Sequence, residues 1–101
     1  MIGAPRGGGH RAAREPREPD EHDFRLRDLV VLMAKGLVDH PGDVSVEIIE
    51  AGDGGELELR VRESDMGHVI GKQGRTARSL RLALGAAAGR IDRQMSLEIA
   101  D

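Results

Sequence analysis

The sequence predicts an α+β domain in which helices and short strands run in the order α-β-β-α-α-β. Three observations predict it. Apolar residues recur at three- and four-residue spacing in two separate segments, as on one face of a helix. They alternate with polar residues in three others, as on a half-buried strand. Turn-forming clusters rich in Gly, Pro and Asp separate the segments.

The chain has 101 residues, room for one domain. Residues 1–23 hold three of the four prolines, the run Gly7-Gly8-Gly9 and the mixed-charge stretch Arg14-Glu15-Pro16-Arg17-Glu18-Pro19. Such a composition buries too little apolar surface to offset the entropy of ordering it. Residues 1–23 therefore read as a disordered Pro/Arg/Gly-rich tail, and residues 24–101 as the folded domain.

In the first helix Leu26, Leu29, Val30, Met33, Leu37 and Val38 form the apolar face, with Asp23 placed to cap its start and Pro41-Gly42 to end it. Val44, Val46 and Ile48, then Leu57, Leu59 and Val61, make the arms of a β-hairpin around Ala51-Gly52-Asp53-Gly54-Gly55. Ser64 stands at an N-cap position before a short helix over residues 65–70, which stops at Gly71. A longer helix begins near Arg75 and buries Ala77, Leu80, Leu84, Ala87, Ala88 and Ile91 on one side. Met95, Leu97 and Ile99 form the last strand.

Net charge is −3, unpromising for a phosphate-binding protein taken alone, but the charge is unevenly spread. Residues 24–66 carry five basic and ten acidic side chains, whereas residues 67–93 carry Lys72, Arg75, Arg78, Arg81, Arg90 and Arg93 against Asp92 alone. A helical projection puts Arg75, Arg78, Arg90 and Arg93 opposite the core stripe, the first two within about one turn of Gly71-Lys72-Gln73-Gly74. Two glycines around two polar residues, followed by a helix start with unpaired N–H groups, let a phosphate backbone approach closely. Lys72 adds a mobile charge, and Gln73 can donate to sugar or phosphate oxygens.

The stretch Val69-Ile70-Gly71-Lys72-Gln73-Gly74, set between two helices, resembles the signature of KH domains, whose glycine loop clamps about four nucleotides of single-stranded nucleic acid. Leu37-Val38-Asp39-His40-Pro41, Glu58-Leu59-Arg60-Val61, Asp65-Met66-Gly67-His68 and Ala86-Ala87-Ala88 extend the resemblance to small bacterial KH proteins of the KhpA family, over roughly residues 25–101. The tail before residue 24 departs from that pattern, as do Gly36 and Gly85 inside the helices. The resemblance implies a type II KH fold, with a three-stranded mixed sheet and helices packed on one face. It implies single-stranded RNA binding, an RNA chaperone or post-transcriptional role, and in some bacteria a link to cell shape and wall synthesis. It also implies a homodimer, or a heterodimer with a larger Jag-type (KhpB) KH protein. The expected RNA contacts are Gly71, Lys72, Gln73, Gly74, Arg75 and Arg78, with His68 beside the loop and Val69 and Ile70 lining the groove. Leu82, on the solvent side of the long helix, is the candidate dimer contact. The alternative is a protein-interaction module with little RNA affinity of its own.

Other classes fit worse. Gly67-His68-Val69-Ile70-Gly71-Lys72-Gln73 has one residue too few for a phosphate-binding Walker loop, and Gln73 stands where Ser or Thr would hold magnesium. The chain has no cysteine, and His10, His22, His40 and His68 are far apart, so no metal or other cofactor is expected. No nucleophile stands beside a base, which argues against an enzyme and a small-molecule substrate. Phe24 is the one aromatic residue, which removes the stacking platforms of other RNA-binding folds. With no signal-peptide pattern and no run of 18 apolar residues, no membrane association is expected and the cytoplasm is the expected location.

Overall fold

A computed structural model describes residues 18–51 and 54–101. Its first helix, α1 (Glu21–Lys35), starts three residues before the domain boundary expected at residue 24. Asp20, rather than Asp23, is the N-cap. The Asp20 side chain accepts from the Asp23 N–H, and Asp23 accepts in return from the Asp20 N–H at 2.8 Å, so each satisfies a donor that the helix start leaves free. The helix ends at Gly36, well short of Pro41-Gly42, which instead form a 3-10 turn over Pro41–Asp43. Leu26, Val30 and Ala34 form its buried stripe, whereas Leu37, expected on that stripe, lies past the helix end and is partly exposed. The tail reading for residues 1–17 lies outside the described residues.

Strands β1 (Ser45–Glu50), β2 (Gly55–Arg60) and β3 (Met95–Ile99) make one sheet in that order. β1 runs antiparallel to β2, and β3 parallel to it, which makes the sheet mixed. A parallel neighbour requires a crossover, and the two helices between β2 and β3 supply it. Leu57, Leu59, Met95 and Leu97 turn inward and are buried. The opposite parity turns outward, and the register sets Glu47 beside Glu58 and Glu58 beside Glu98. Like charges directly opposite cost stability, and the solvent face of this sheet carries three in a row. A bulge between Ile48 and Glu50 leaves Ile49 exposed.

After β2 the chain makes a 3-10 turn over Glu63–Asp65 and enters α2 (Met66–Ile70). Ser64 therefore sits inside the turn and makes no cap. The longer helix, α3 (Arg75–Gly89), buries Ala77, Leu80, Leu84 and Ala88. Ala87 and Ile91 pack at the edge of the same core, as the projection predicted. Gly85 lies on the exposed side of α3, where a missing side chain costs helix propensity but no packing. The core is thus closed between one sheet face and α1 and α3, and α2 is a short bracket that delivers the chain to Gly71.

Candidate nucleic-acid interface

The loop Gly71-Lys72-Gln73-Gly74 is built from three residues at positive φ. Gly71 stands at φ 76°, ψ 170°, Gln73 at φ 57° and Gly74 at φ 74°. The two glycines are not equivalent. A Cβ on Gly71 would stand 2.2 Å from Thr76 Oγ1 and 2.8 Å from Thr76 N, so the first turn of α3 occupies the space a side chain would need. A Cβ on Gly74 would meet nothing within 4 Å. Gly71 lets the loop close on α3, and Gly74 leaves the outer side of the loop open. Hydrogen bonds from Gly71 N–H to Gly67 C=O and from Gly74 N–H to Gly71 C=O hold the reversal. No side chain caps α3, so the positive end of its dipole faces the loop.

Of the six basic residues in the segment, Arg81 and Arg93 are bound to other elements of the fold, and the other four form no ion pair among the described residues. Arg93 lies beyond the end of α3, where its guanidinium donates to Asp20 and, at 2.9 Å, to Asp23 Oδ1, with most of its side chain buried. It therefore staples the start of α1 to the α3–β3 connection and leaves the basic surface predicted for it. Arg81 Nε donates to the Leu97 carbonyl of β3 at 3.0 Å. Lys72, Arg78 and Arg90 have no ion pair among the described residues, and Arg75 donates only to Gln73 Oε1 at 3.3 Å. Arg90 is about 20 Å along α3 from Arg75 at 1.5 Å per residue. The charge at the loop is accordingly Lys72, Arg75 and Arg78.

Val69, expected as a groove wall, is fully buried and supports the loop from beneath. Ile70 is partly exposed and, with Val61, Glu63, Met66 and Asp101, lines a groove of about 780 Å³ beside α2. Met66 and Ile70 share a face because they are four residues apart on the helix. That spacing was legible in the sequence, although Met66 and Glu63 were not singled out there.

His68 does not stand free beside the loop. Its Nε2 lies 3.4 Å from Asp39 Oδ2 and 3.9 Å from Asp65 Oδ1. Asp65 is the centre of this group. It is buried, and its oxygens accept from Asp39 N–H at 3.2 Å, from His40 N–H at 3.0 Å and from His40 Nδ1 at 3.1 Å. Burial pushes its carboxyl up, but the Asp39 N–H, the His40 ring and the His40 N–H together outweigh burial and hold it below the usual carboxylate range. The ligand atoms of Asp39, Asp65 and His68 lie within 4.8 Å of one another, a grouping that the wide spacing of the histidines conceals. Both Asp65 oxygens are already engaged and the other two side chains are exposed. The group acts as a bridge that fixes the start of α2, and hence the aim of the loop, against the α1–β1 connection.

Leu82 is 68% exposed on α3, as its place on the projection implied. Leu32 of α1, 71% exposed, escaped notice in the sequence. It lies with Leu37 and Ala83 on an apolar groove between α1 and α3. No described helix is long and apolar enough to cross a membrane.

The chain is similar to known proteins over most of its described residues. The family model for the KH domain of KhpA and KhpB matches residues 27–99. The RNA-binding protein KhpA of Halalkalibacterium halodurans is 47% identical over 76 residues, covering 75% of this chain and 100% of that protein. That of Bacillus subtilis is 44% identical over 79 residues, covering 78% and 98%. That of Borreliella burgdorferi is 43% identical over 74 residues, covering 73% and 90%. Among solved structures, Aquifex aeolicus Era bound to GDP and aluminium fluoride superposes with a TM-score of 0.59 at 22% identity, over 75% of this chain and 29% of Era. At that identity the likeness concerns the fold alone.

Proposed function

The chain belongs to the KhpA/KhpB KH-domain family, and from that premise we propose that it binds single-stranded RNA, with the phosphate backbone crossing the Gly71–Gly74 loop and the bases entering the groove beside α2. The observation that carries this reading is the open side of Gly74, next to the free cations Lys72 and Arg78 and to Arg75, at the uncapped start of α3. Backbone can approach backbone there, and the surrounding charge favours a phosphate. The curated relatives bear the name RNA-binding protein, which supports the same reading. With few base-reading side chains at the loop, the clamp itself holds RNA weakly and without regard to sequence, as suits an RNA chaperone or post-transcriptional regulator acting in the cytoplasm.

The test is fluorescence anisotropy of a labelled single-stranded RNA of about ten nucleotides against wild type and Gly74→Asn, with circular dichroism to confirm folding. Wild type binds and Gly74→Asn loses affinity. If Lys72, Arg75 and Arg78 each neutralise one phosphate, log Kd against log salt concentration has a slope near about 2, from about 0.7 per contact on single strands. A flat salt dependence contradicts the clamp.

A second reading rests on the exposed Leu82 and Leu32, with the apolar groove between α1 and α3. On that reading this face pairs with another KH domain, either a second copy or a larger Jag-type (KhpB) protein. The two readings are compatible although their surfaces adjoin, since Leu82 lies one helical turn from Arg78; Leu82→Gln, which adds no charge beside the cations, distinguishes them by abolishing association while changing RNA affinity per protomer less than Arg78→Ala does.

A further inference from the structure

The groove beside α2 is lined by three apolar side chains and two carboxylates, Glu63 and Asp101. Val61, Met66 and Ile70 supply its apolar surface, of the kind on which the flat face of a base can pack. Glu63 lines it too and is exposed, and its side chain makes no hydrogen bond or ion pair among the described residues. The guanidinium of the adjacent Arg62 is engaged by Asp43 through a 2.6 Å hydrogen bond. The 3-10 turn that carries Glu63 ends in Asp65, whose carboxylate is anchored by the Asp39 and His40 N–H groups, so the turn is held in place.

Carboxylates in an RNA-binding groove repel phosphate and can only accept hydrogen bonds. They exclude the nucleic-acid backbone from this side, consistent with its passage over Lys72, Arg75 and Arg78, and face the donor groups of a base instead. The Watson–Crick edges of single-stranded bases are available for such contacts. Guanine alone offers two adjacent N–H donors on that edge, N1–H and the N2 amino group, which match the two oxygens of one carboxylate in a charge-assisted pair. Adenine and cytosine offer a single amino group each. Uracil offers one N–H flanked by two carbonyl oxygens that repel the carboxylate.

Resting on the RNA-binding reading above, we infer that Glu63 makes the groove a guanine-selective base site. The loop and α3 hold the chain without regard to sequence, and Glu63 chooses the base.

The experiment uses four RNAs of about ten nucleotides, all uridine except for a central guanosine, adenosine, cytidine or uridine, titrated against wild type and Glu63→Ala. Wild type binds the guanosine oligomer roughly tenfold more tightly than the all-uridine one, the scale of one good bidentate base contact. In Glu63→Ala that advantage falls to about twofold or less, because the paired N–H donors of guanine lose their acceptor and the carbonyls of uracil lose a repulsive neighbour. Equal wild-type affinity for all four, a preference for adenosine or cytidine, or an advantage that survives Glu63→Ala overturns the inference and leaves the clamp standing. Failure of wild type to bind any of the four overturns the RNA-binding reading itself.

Discussion

Replacing the two loop glycines one at a time separates a residue the fold needs from one the ligand needs. In Gly71→Ala the new methyl group would stand 2.2 Å from Thr76 Oγ1 and 2.8 Å from the Thr76 backbone nitrogen. The hydroxyl can rotate, but the backbone nitrogen moves only if the first turn of α3 moves with it. The backbone at φ 76°, ψ 170° is itself a conformation that essentially only glycine adopts, worth about 1–3 kcal/mol of strain. Overpacking adds about 1–3 kcal/mol. A loss of about 3 kcal/mol is a large part of the roughly 5 kcal/mol expected of so small a domain. With a urea dependence of about 1 kcal/mol per molar, the unfolding midpoint falls by about 3 M. Gly74→Asn is the contrasting case. Its φ of 74° and ψ of 14° are left-handed helical values that asparagine tolerates, and the position has open space, so the cost is about 1 kcal/mol or less. Urea denaturation followed by circular dichroism gives both stabilities, and RNA anisotropy on the folded variant gives the binding. A Gly71→Ala protein as stable as wild type refutes the packing account, and a folded Gly74→Asn protein with full RNA affinity refutes the role given to the open side of the loop.

Four further outcomes follow from the structure. On the pairing reading, wild type associates in sedimentation and Leu82→Glu is monomeric at the same concentration; a monomeric wild type, or a variant of unchanged molecular weight, contradicts that reading. Arg93→Ala lowers the thermal midpoint by at least about 4 °C, because it unfastens the start of α1 from the α3–β3 connection; calorimetry checks it, and no shift means that the staple contributes nothing. Glu98→Lys, which replaces one of three aligned carboxylates with a cation opposite Glu58, stabilises by about 0.2–1 kcal/mol, an effect that fades with added salt. Acid weakens the fold: Asp20, through its hydrogen bond to Arg93 first, and Asp65, through the N–H groups that outweigh its burial, both have folded-state values below the unfolded 3.8. Their contribution is therefore complete above about pH 4 and lost as pH falls through those lower values; a thermal midpoint unchanged from pH 5 to pH 2.5 contradicts the assignment.

The elements could be read from the sequence because each is written in a local pattern. The stripe Ala77, Leu80, Leu84 and Ala88 and the alternation Leu57, Leu59 and Met95, Leu97 are set by which face is buried, and the structure buries those residues. Boundaries were less legible. Asp20, Asp23 and Ser64 are all good caps by type, and only the path of the chain shows that the first two work as a pair and the third makes no cap. The end of α1 is hidden for a similar reason: Gly36 stops the helix, and the apolar Leu37 and Val38 beyond it imitate another turn.

The sequence by itself determined the order of the elements, the glycine loop between α2 and α3, and the excess of basic residues after residue 66. Tertiary structure alone decided which of those bases are available. Arg93 is taken by Asp20, 73 residues away in the chain, and Arg81 by a carbonyl of β3, while Lys72 and Arg78 have no ion pair among the described residues. It also decided that Gly71 is closed by Thr76 while Gly74 is open, that buried Asp65 steers α2, and that Glu63 borders an apolar groove. The reason is physical. Periodicity reports how one segment meets solvent and core, whereas the free charge or open space at a site depends on partners that only the folded chain brings within a few ångströms.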